Sequence, residues 1–247
     1  MRVSLLVTCV VDVLAPDVGV ATVRVLRAAG CEVSCPPGQT CCGQPAWNAG
    51  FAEEAAAVAR TTLAALDGDG ADAVVVPAGS CATMIRVFWP ELFEVVGDHD
   101  AAERARGLGK RTFELSELLA SDRVELPAGD PSGRRVAYHH SCHLLRELRV
   151  HDQPLALLEA AGCELVEWPA AERCCGFGGM FSRKLPETSV AMADDKLESL
   201  PECDVVVSAD SSCLLHLRSR AAHEGRPIVS KHIAELLGPS GPLSGEQ

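Results

Sequence analysis

Two vicinal cysteine pairs, Cys41-Cys42 and Cys174-Cys175, each followed by a glycine, are the residues of this 247-residue chain best equipped for chemistry. Each pair has companions at matched distances: Cys9 before and Cys81 after the first, Cys142 before and Cys213 after the second. The offset between the two sets is 133 residues at the first three positions and 132 at the last. Flanking residues repeat too, with Gly30-Cys31-Glu32-Val33 leading into one pair and Gly162-Cys163-Glu164-Leu165 into the other. Two unrelated segments would not share this register, so the chain contains an internal repeat.

Four thiolates meeting in space form a soft donor set, suited to an iron–sulfur cluster or to tetrahedral zinc. Structural zinc favours paired Cys-x-x-Cys knuckles, whereas adjacent cysteines plus two distant ones suit a larger inorganic core. Glycine after each pair lets the backbone turn sharply and bring amide N–H groups to sulfur, which tunes a bound group. Phe177-Gly178-Gly179 extends this in the second half. Two alternatives stay open: a metal-free dithiol/disulfide reductase, whose vicinal pairs would close strained eight-membered rings, and a structural zinc-binding assembly subunit. Cys31 and Cys163 open strands and are expected to pack in the core, while Cys35 and Cys203 have no repeat partner. His139, His140 and His143 flank Cys142, placed to donate protons, to hydrogen-bond sulfur or to cap a helix. Arg146 and Lys184 follow cysteine motifs and are expected at the surface.

Elements that alternate strand and helix must carry these thiols. Arg2 to Val7, Glu32 to Ser34 and Ala73 to Val76 are strand patterns, separated by helices over Val18 to Ala29 and Ala46 to Leu66, with Cys81 opening a third. The second half repeats the order. Its strands fall at Arg135 to Tyr138, Glu164 to Glu167, Asp204 to Ser208 and Pro227 to Val229, and its helices at Gln153 to Ala161, Glu187 to Leu200, Ser212 to His223 and Lys231 to Leu237. Such alternation implies an α/β protein of two pseudo-symmetric, Rossmann-like halves with mainly parallel sheets and cysteines at the carboxyl ends of strands. The halves span residues 1–133, including a joining segment 97–133 with a helix at Thr112 to Ala120, and 134–238; residues 239–247 form a Gly/Ser/Pro-rich flexible tail.

Composition limits the possible partners. With 22 Lys+Arg against 34 Asp+Glu the net charge is −12, against the basic patches that nucleic acid or an anionic membrane demands. No apolar run reaches bilayer length, so direct membrane insertion is not expected. The apolar stretch before Cys9 is too short for an export signal, and a thiol-rich chain of this size needs no disulfides, which points to a reducing cytoplasm. Neither the dinucleotide fingerprint nor a phosphate-binding loop is present, so hydride chemistry would come from a partner.

The motifs Thr8-Cys9, Gln39-Thr40-Cys41-Cys42-Gly43-Gln44-Pro45-Ala46, Gly79-Ser80-Cys81, Ser141-Cys142-His143-Leu144-Leu145-Arg146, Cys174-Cys175-Gly176-Phe177-Gly178-Gly179 and Asp210-Ser211-Ser212-Cys213-Leu214 closely resemble the lactate utilization protein A family. That family lies within the wider group of CCG-domain iron–sulfur proteins that includes the cysteine-rich component of heterodisulfide reductase. The resemblance implies an iron–sulfur electron-transfer subunit that works with lactate utilization proteins B and C to oxidise L-lactate to pyruvate, rather than a complete enzyme. It also implies one cluster per half, held by Cys9, Cys41, Cys42 and Cys81 and by Cys142, Cys174, Cys175 and Cys213. The heterodisulfide reductase component carries a fifth cysteine per half where this chain has Ala78 and Asp210. Four thiolates suffice for a [4Fe–4S] cube, and Asp210 is expected to cap a helix rather than to ligate. His140 replaces the Asp of the family pattern.

Overall fold

The structure, a computed structural model, describes residues 1–125 and 133–238. The turn-rich stretch 126–132 at the expected boundary and the tail 239–247 lie outside the described residues. The first half runs β1 (Arg2–Leu5), α1 (Cys9–Leu14), α2 (Pro16–Ala28), β2 (Glu32–Ser34), α3 (Gln44–Asn48), α4 (Ala52–Asp67) and β3 (Ala73–Val76). It continues through α5 (Gly79–Thr83), a π-helical turn (Met84–Phe88), α6 (Trp89–Val95), α7 (His99–Gly109), β4 (Thr112–Glu114) and α8 (Leu115–Leu119). The second half begins with β5 (Arg135–His139), α9 (Cys142–Arg146), α10 (Asp152–Ala160) and β6 (Glu164–Leu165). Then come α11 (Met180–Lys184), α12 (Pro186–Glu198), β7 (Val205–Ser208), α13 (Ser211–His223), β8 (Ser230–His232) and α14 (Ala234–Leu237).

Two four-stranded sheets result, ordered β2-β1-β3-β4 and β6-β5-β7-β8, and every strand pair is parallel. Parallel sheets need both faces covered, and the valine-rich central strands show how this is met. In β3, Val75 faces a central core while Val74 and Val76 face an outer one; in β7, Val207 and Val206 divide likewise. This alternation follows from the two-residue period of a strand. The central core takes residues from both halves, joining Val25 and Leu26 of α2 and Leu118 of α8 to Leu157 and Leu158 of α10 and Leu237 of α14. Trp89, Leu92 and Phe93 fill the first outer core, and Trp168, Ala193 and Leu217 help to fill the second.

The halves also meet backbone to backbone. Ala78 and Asp210, equivalent positions of the repeat, form an isolated antiparallel bridge, and Gly79 N donates to Ala209 O at 3.3 Å. A Cβ at Gly79 would lie 2.6 Å from Leu144 Cβ of α9, so only glycine permits this approach.

Several local expectations are corrected. Thr112 to Glu114 is the strand β4, paired with β3 through Val74 and Thr112, and the expected helix begins only at Leu115. Residues 97–133 therefore contribute a strand and α7 to the first half as well as joining the halves. The last strand is Ser230–His232 rather than Pro227 to Val229, which leaves the helix expected from Lys231 only Ala234–Leu237. The long helix expected from Ala46 to Leu66 is two helices, broken at Gly50, whose φ of 85° no α-helix accommodates.

Candidate metal centre

Each thiol of the two sets leaves the carboxyl end of a parallel strand, where loops from neighbouring strands converge. Cys9 and Cys142 are the first residues of α1 and α9, while Cys81 and Cys213 lie in the first turns of α5 and α13. Helix N-termini present unsatisfied N–H groups and a positive dipole end, which favours thiolate over thiol. Thr8 caps α1, its hydroxyl accepting from Val11 N at 3.4 Å. The loop carrying Cys41-Cys42 is tied to β1 by Gln39, whose amide donates to Leu5 O at 3.1 Å and whose Oε1 accepts from Val7 N at 2.7 Å.

Sulfur atoms of the first set touch: Cys9 Sγ lies 3.6 Å from Cys41 Sγ, and Cys42 Sγ lies 3.3 Å from Cys81 Sγ. The vicinal pairs are held by the same device in both halves. Gly43 N donates to Cys41 Sγ at 3.5 Å and Gly176 N to Cys174 Sγ at 3.4 Å. These glycines have φ of 86° and 89°, and a Cβ on them would lie 2.8 Å from Ala55 O and 2.5 Å from Ser189 O. Positive φ and close backbone approach both exclude a larger residue.

Protonation is unequal within each set. Hydrogen bonds from Cys42 and Cys9 hold the Cys41 thiol far below its ordinary range, and those from Cys142 and Cys175 do the same for Cys174. The donating thiols shift the opposite way. Cys9, Cys42, Cys142 and Cys175 are pushed well up, first by their hydrogen bond to the neighbouring sulfur and then chiefly by sulfur contacts and burial. In each half the sulfur whose thiol is favoured to ionise is the one that the glycine amide also faces.

All eight thiols line one cavity of about 100 Å³ where the halves meet, together with Ser80, Ser141, Phe177 and Asp210. A larger groove of about 410 Å³ beside Cys203 contains no member of either set. The other three cysteines lie elsewhere too: Cys31 is buried in the central core, Cys163 packs at its margin, and Cys35 is exposed.

Asp210 sits at the cavity with both oxygens engaged. Its Oδ1 accepts from Ser212 N at 3.2 Å, capping α13, and its Oδ2 accepts from Ser80 N at 3.0 Å in the other half. The expected cap is therefore also a tie between halves. Of the three histidines only His143 lines the cavity, its Nδ1 lying 3.3 Å from Glu147 Oε2. His140 is buried, stacked on His151 with ring centroids 4.5 Å apart, and burial pulls it down to about 4. His139 is fully buried behind the second set, and burial pulls it down to about 3, so its ring is neutral. One of its ring nitrogens and the Cys175 and Cys213 sulfurs lie within 4.8 Å of one another. Arg146 and Lys184 are exposed, as expected.

Lys196 carries no cysteine motif, and nothing in the motif spacing singles it out. Its side chain is fully buried, donating to Ala170 O and to Ala171 O at 3.0 Å, with Nζ 4.1 Å from the Trp168 ring centre. Burial pulls it down to about 8, opposed by the Cys175, Cys213 and Cys174 sulfurs of the second set. A signal is present in the helical pattern, since Ala193, Lys196 and Leu197 share the buried stripe of α12. The first half buries neutral Thr62 and Leu63 on the corresponding helix α4. Four convergent thiols per half, deprotonated on binding, fit a thiophilic metal or cluster.

The CCG cysteine-rich domain family matches the chain twice, over residues 3–86 and 136–218. Lactate utilization protein A of Geobacillus kaustophilus (strain HTA426) is 43% identical over 240 residues, covering 96% of this chain and 98% of that protein. Lactate utilization protein A 2 of Bacillus cereus (strain AH820) is 36% identical with the same coverage. Among solved structures, a hypothetical protein from Helicobacter pylori superposes with a TM-score of 0.63 at 8% identity, covering 97% of this chain. The chain spans about half of that protein, 49% of its length, and the likeness shows the fold alone.

Proposed function

This chain belongs to the lactate utilization protein A family, and on that premise we propose that it is the iron–sulfur electron-transfer subunit of a system that oxidises L-lactate to pyruvate. One observation carries the reading: two sets of four thiols, related by the repeat, converge on a single cavity between the halves. Cys9, Cys41, Cys42 and Cys81 hold one [4Fe–4S] cluster, and Cys142, Cys174, Cys175 and Cys213 hold the other. Bound clusters supply one-electron steps, which is what a two-electron oxidation needs if its electrons leave singly. The Gly43 and Gly176 amides donate to thiolate sulfur and so stabilise the more negative state. The buried positions of Cys42, Cys81, Cys175 and Cys213 keep water from the inner sulfurs.

Substrate oxidation itself falls to partners, since no nucleotide or flavin fingerprint is present in the sequence; lactate utilization proteins B and C are the proposed ones. A reducing cytoplasm is the proposed compartment, where twelve thiols stay reduced. No helix among the described residues is long and apolar enough to cross a membrane.

The test is iron, zinc and acid-labile sulfide content, with a visible spectrum, on protein reconstituted anaerobically and on a Cys42→Ser, Cys175→Ser variant. Iron with matching sulfide, lost in the variant, supports the reading, and lactate-dependent reduction with proteins B and C then follows. Zinc alone would replace it with a structural assembly role, and no metal at all with dithiol chemistry.

A further inference from the structure

The two sets of thiols are alike in sulfur but not in what stands behind them. Three residues before Cys9 the chain carries Leu6, and three residues before Cys142 it carries His139. Both side chains are fully buried. Leucine has nothing to offer a metal, whereas imidazole has a lone pair.

Which nitrogen carries that lone pair is fixed by chemistry. His139 Nδ1 lies 3.3 Å from Ala171 O, and a carbonyl oxygen can only accept, so Nδ1 holds the proton. The same carbonyl is anchored by two further donors, Lys196 Nζ at 3.0 Å and His140 N at 3.1 Å. Nε2 is therefore the unprotonated nitrogen. It is buried and has no hydrogen-bond partner. A buried acceptor without a partner has lost its water and gained nothing in return. The candidate partners are close: a ring nitrogen of His139 and the sulfurs of Cys175 and Cys213, both buried, lie within 4.8 Å of one another. The arrangement matches the habit of metal-binding histidines, which donate one ring N–H to a backbone carbonyl and present the other nitrogen to the metal.

We infer that His139 Nε2 is a fifth donor of the second centre, a nitrogen ligand to one of its metal ions on the side of Cys175 and Cys213, with no counterpart in the first half. The inference rests on the proposed metal-binding reading and modifies it in one respect: with five donors the second centre departs from the regular cube that four thiolates complete. No proton leaves His139 when it ligates, because the bond uses a lone pair already free; only thiol protons are released. The two sites then differ in ligand field, so they are two distinct centres rather than a duplicated one.

The experiment separates the sites in the full-length chain. A Cys41→Ser, Cys42→Ser variant keeps only the second set, and a Cys174→Ser, Cys175→Ser variant keeps only the first. Each is made with histidine labelled by 15N, reconstituted anaerobically with ferrous iron and sulfide, reduced with dithionite, and probed by pulsed electron paramagnetic resonance. The expected result is a strong 15N-histidine coupling in the second-set protein and none in the first-set protein. His139→Leu, which copies the first half, should abolish the coupling. The unsubstituted chain, labelled in the same way, shows without relying on any variant to fold whether a histidine ligates at all, and absence of strong 15N coupling in it overturns the inference. Iron present at the second set without strong 15N coupling would overturn the inference while leaving the proposed function standing. Failure of the unsubstituted chain to take up iron would overturn both.

Discussion

At the scale of single residues, the glycines after the cysteine pairs show how tightly the sites are specified. Gly176 combines a left-handed backbone with a Cβ position 2.5 Å from Ser189 O, so Gly176→Ala should destabilise the protein by about 1–3 kcal/mol. Denaturant unfolding measures this, and metal analysis should show the second set impaired and the first intact. The thiols make a second residue-level case. Cys41 and Cys174 are partly exposed and are the thiols favoured to ionise in each half, so in metal-free, reduced protein they should be the first cysteines alkylated by iodoacetamide at neutral pH. Peptide mass spectrometry after brief exposure decides it; preferential labelling of Cys35, the exposed cysteine outside the sets, would contradict it. These eight thiols are legible in the sequence because the repeat itself marks them. His139 is legible only as one of three histidines around Cys142, since nothing in the spacing says which ring turns inward.

Individual elements are legible where their burial pattern is uniform and obscured where a short strand runs straight into a helix. Thr112-Phe113-Glu114 looks helical because Glu114 ends the strand and also caps α8, in a capping box with Glu117. β8 is displaced for a different reason: its Ser-Lys-His sequence is polar, as an edge strand can be, and the apolar residues that suggest a strand precede it. The Glu114 cap also has a pH signature. Burial raises this carboxyl from 4.5 to about 7, although Oε2 accepts from Ser116 N at 2.8 Å; Oε1 is buried without a partner. Between pH 4.5 and 7 the unfolded chain gives up this proton and the folded one keeps it, so stability falls as pH rises through that window. The loss at pH 7 and above amounts to about 3 kcal/mol, at roughly 1.36 kcal/mol per unit. Glu114→Gln keeps an oxygen to cap the helix and cannot ionise. Its unfolding free energy should therefore lose that slope, and melts at several pH values between about 4.5 and 8 would show whether it does.

For the molecule as a whole, the parallel architecture and its duplication follow from the alternating pattern and the cysteine register, but the way the halves meet does not. The central core mixes Leu157 and Leu237 with Val25 and Leu118, all of which look like ordinary amphipathic positions in their own helices. Nor does the sequence reveal that Asp210 reaches across to Ser80 N. Asp210→Ala removes a helix cap and leaves a donor in the other half without its acceptor, for an expected loss of about 1–3 kcal/mol. Unlike Gly176→Ala, it should lower metal content at both sets, because it loosens the wall they share. Metal analysis of Asp210→Ala combined with each single-set variant tests this.

The bridge between Ala78 and Asp210 joins equivalent strand ends about a local axis, as two copies of a small protein would meet in a homodimer. Here the encounter happens within one chain, so dilution cannot separate the partners and every molecule carries the two sets of thiols in a one-to-one ratio. A true homodimer would also be bound to keep its sites identical, since one gene would encode both. A single chain is free of that constraint, and a histidine can stand in one half where a leucine stands in the other.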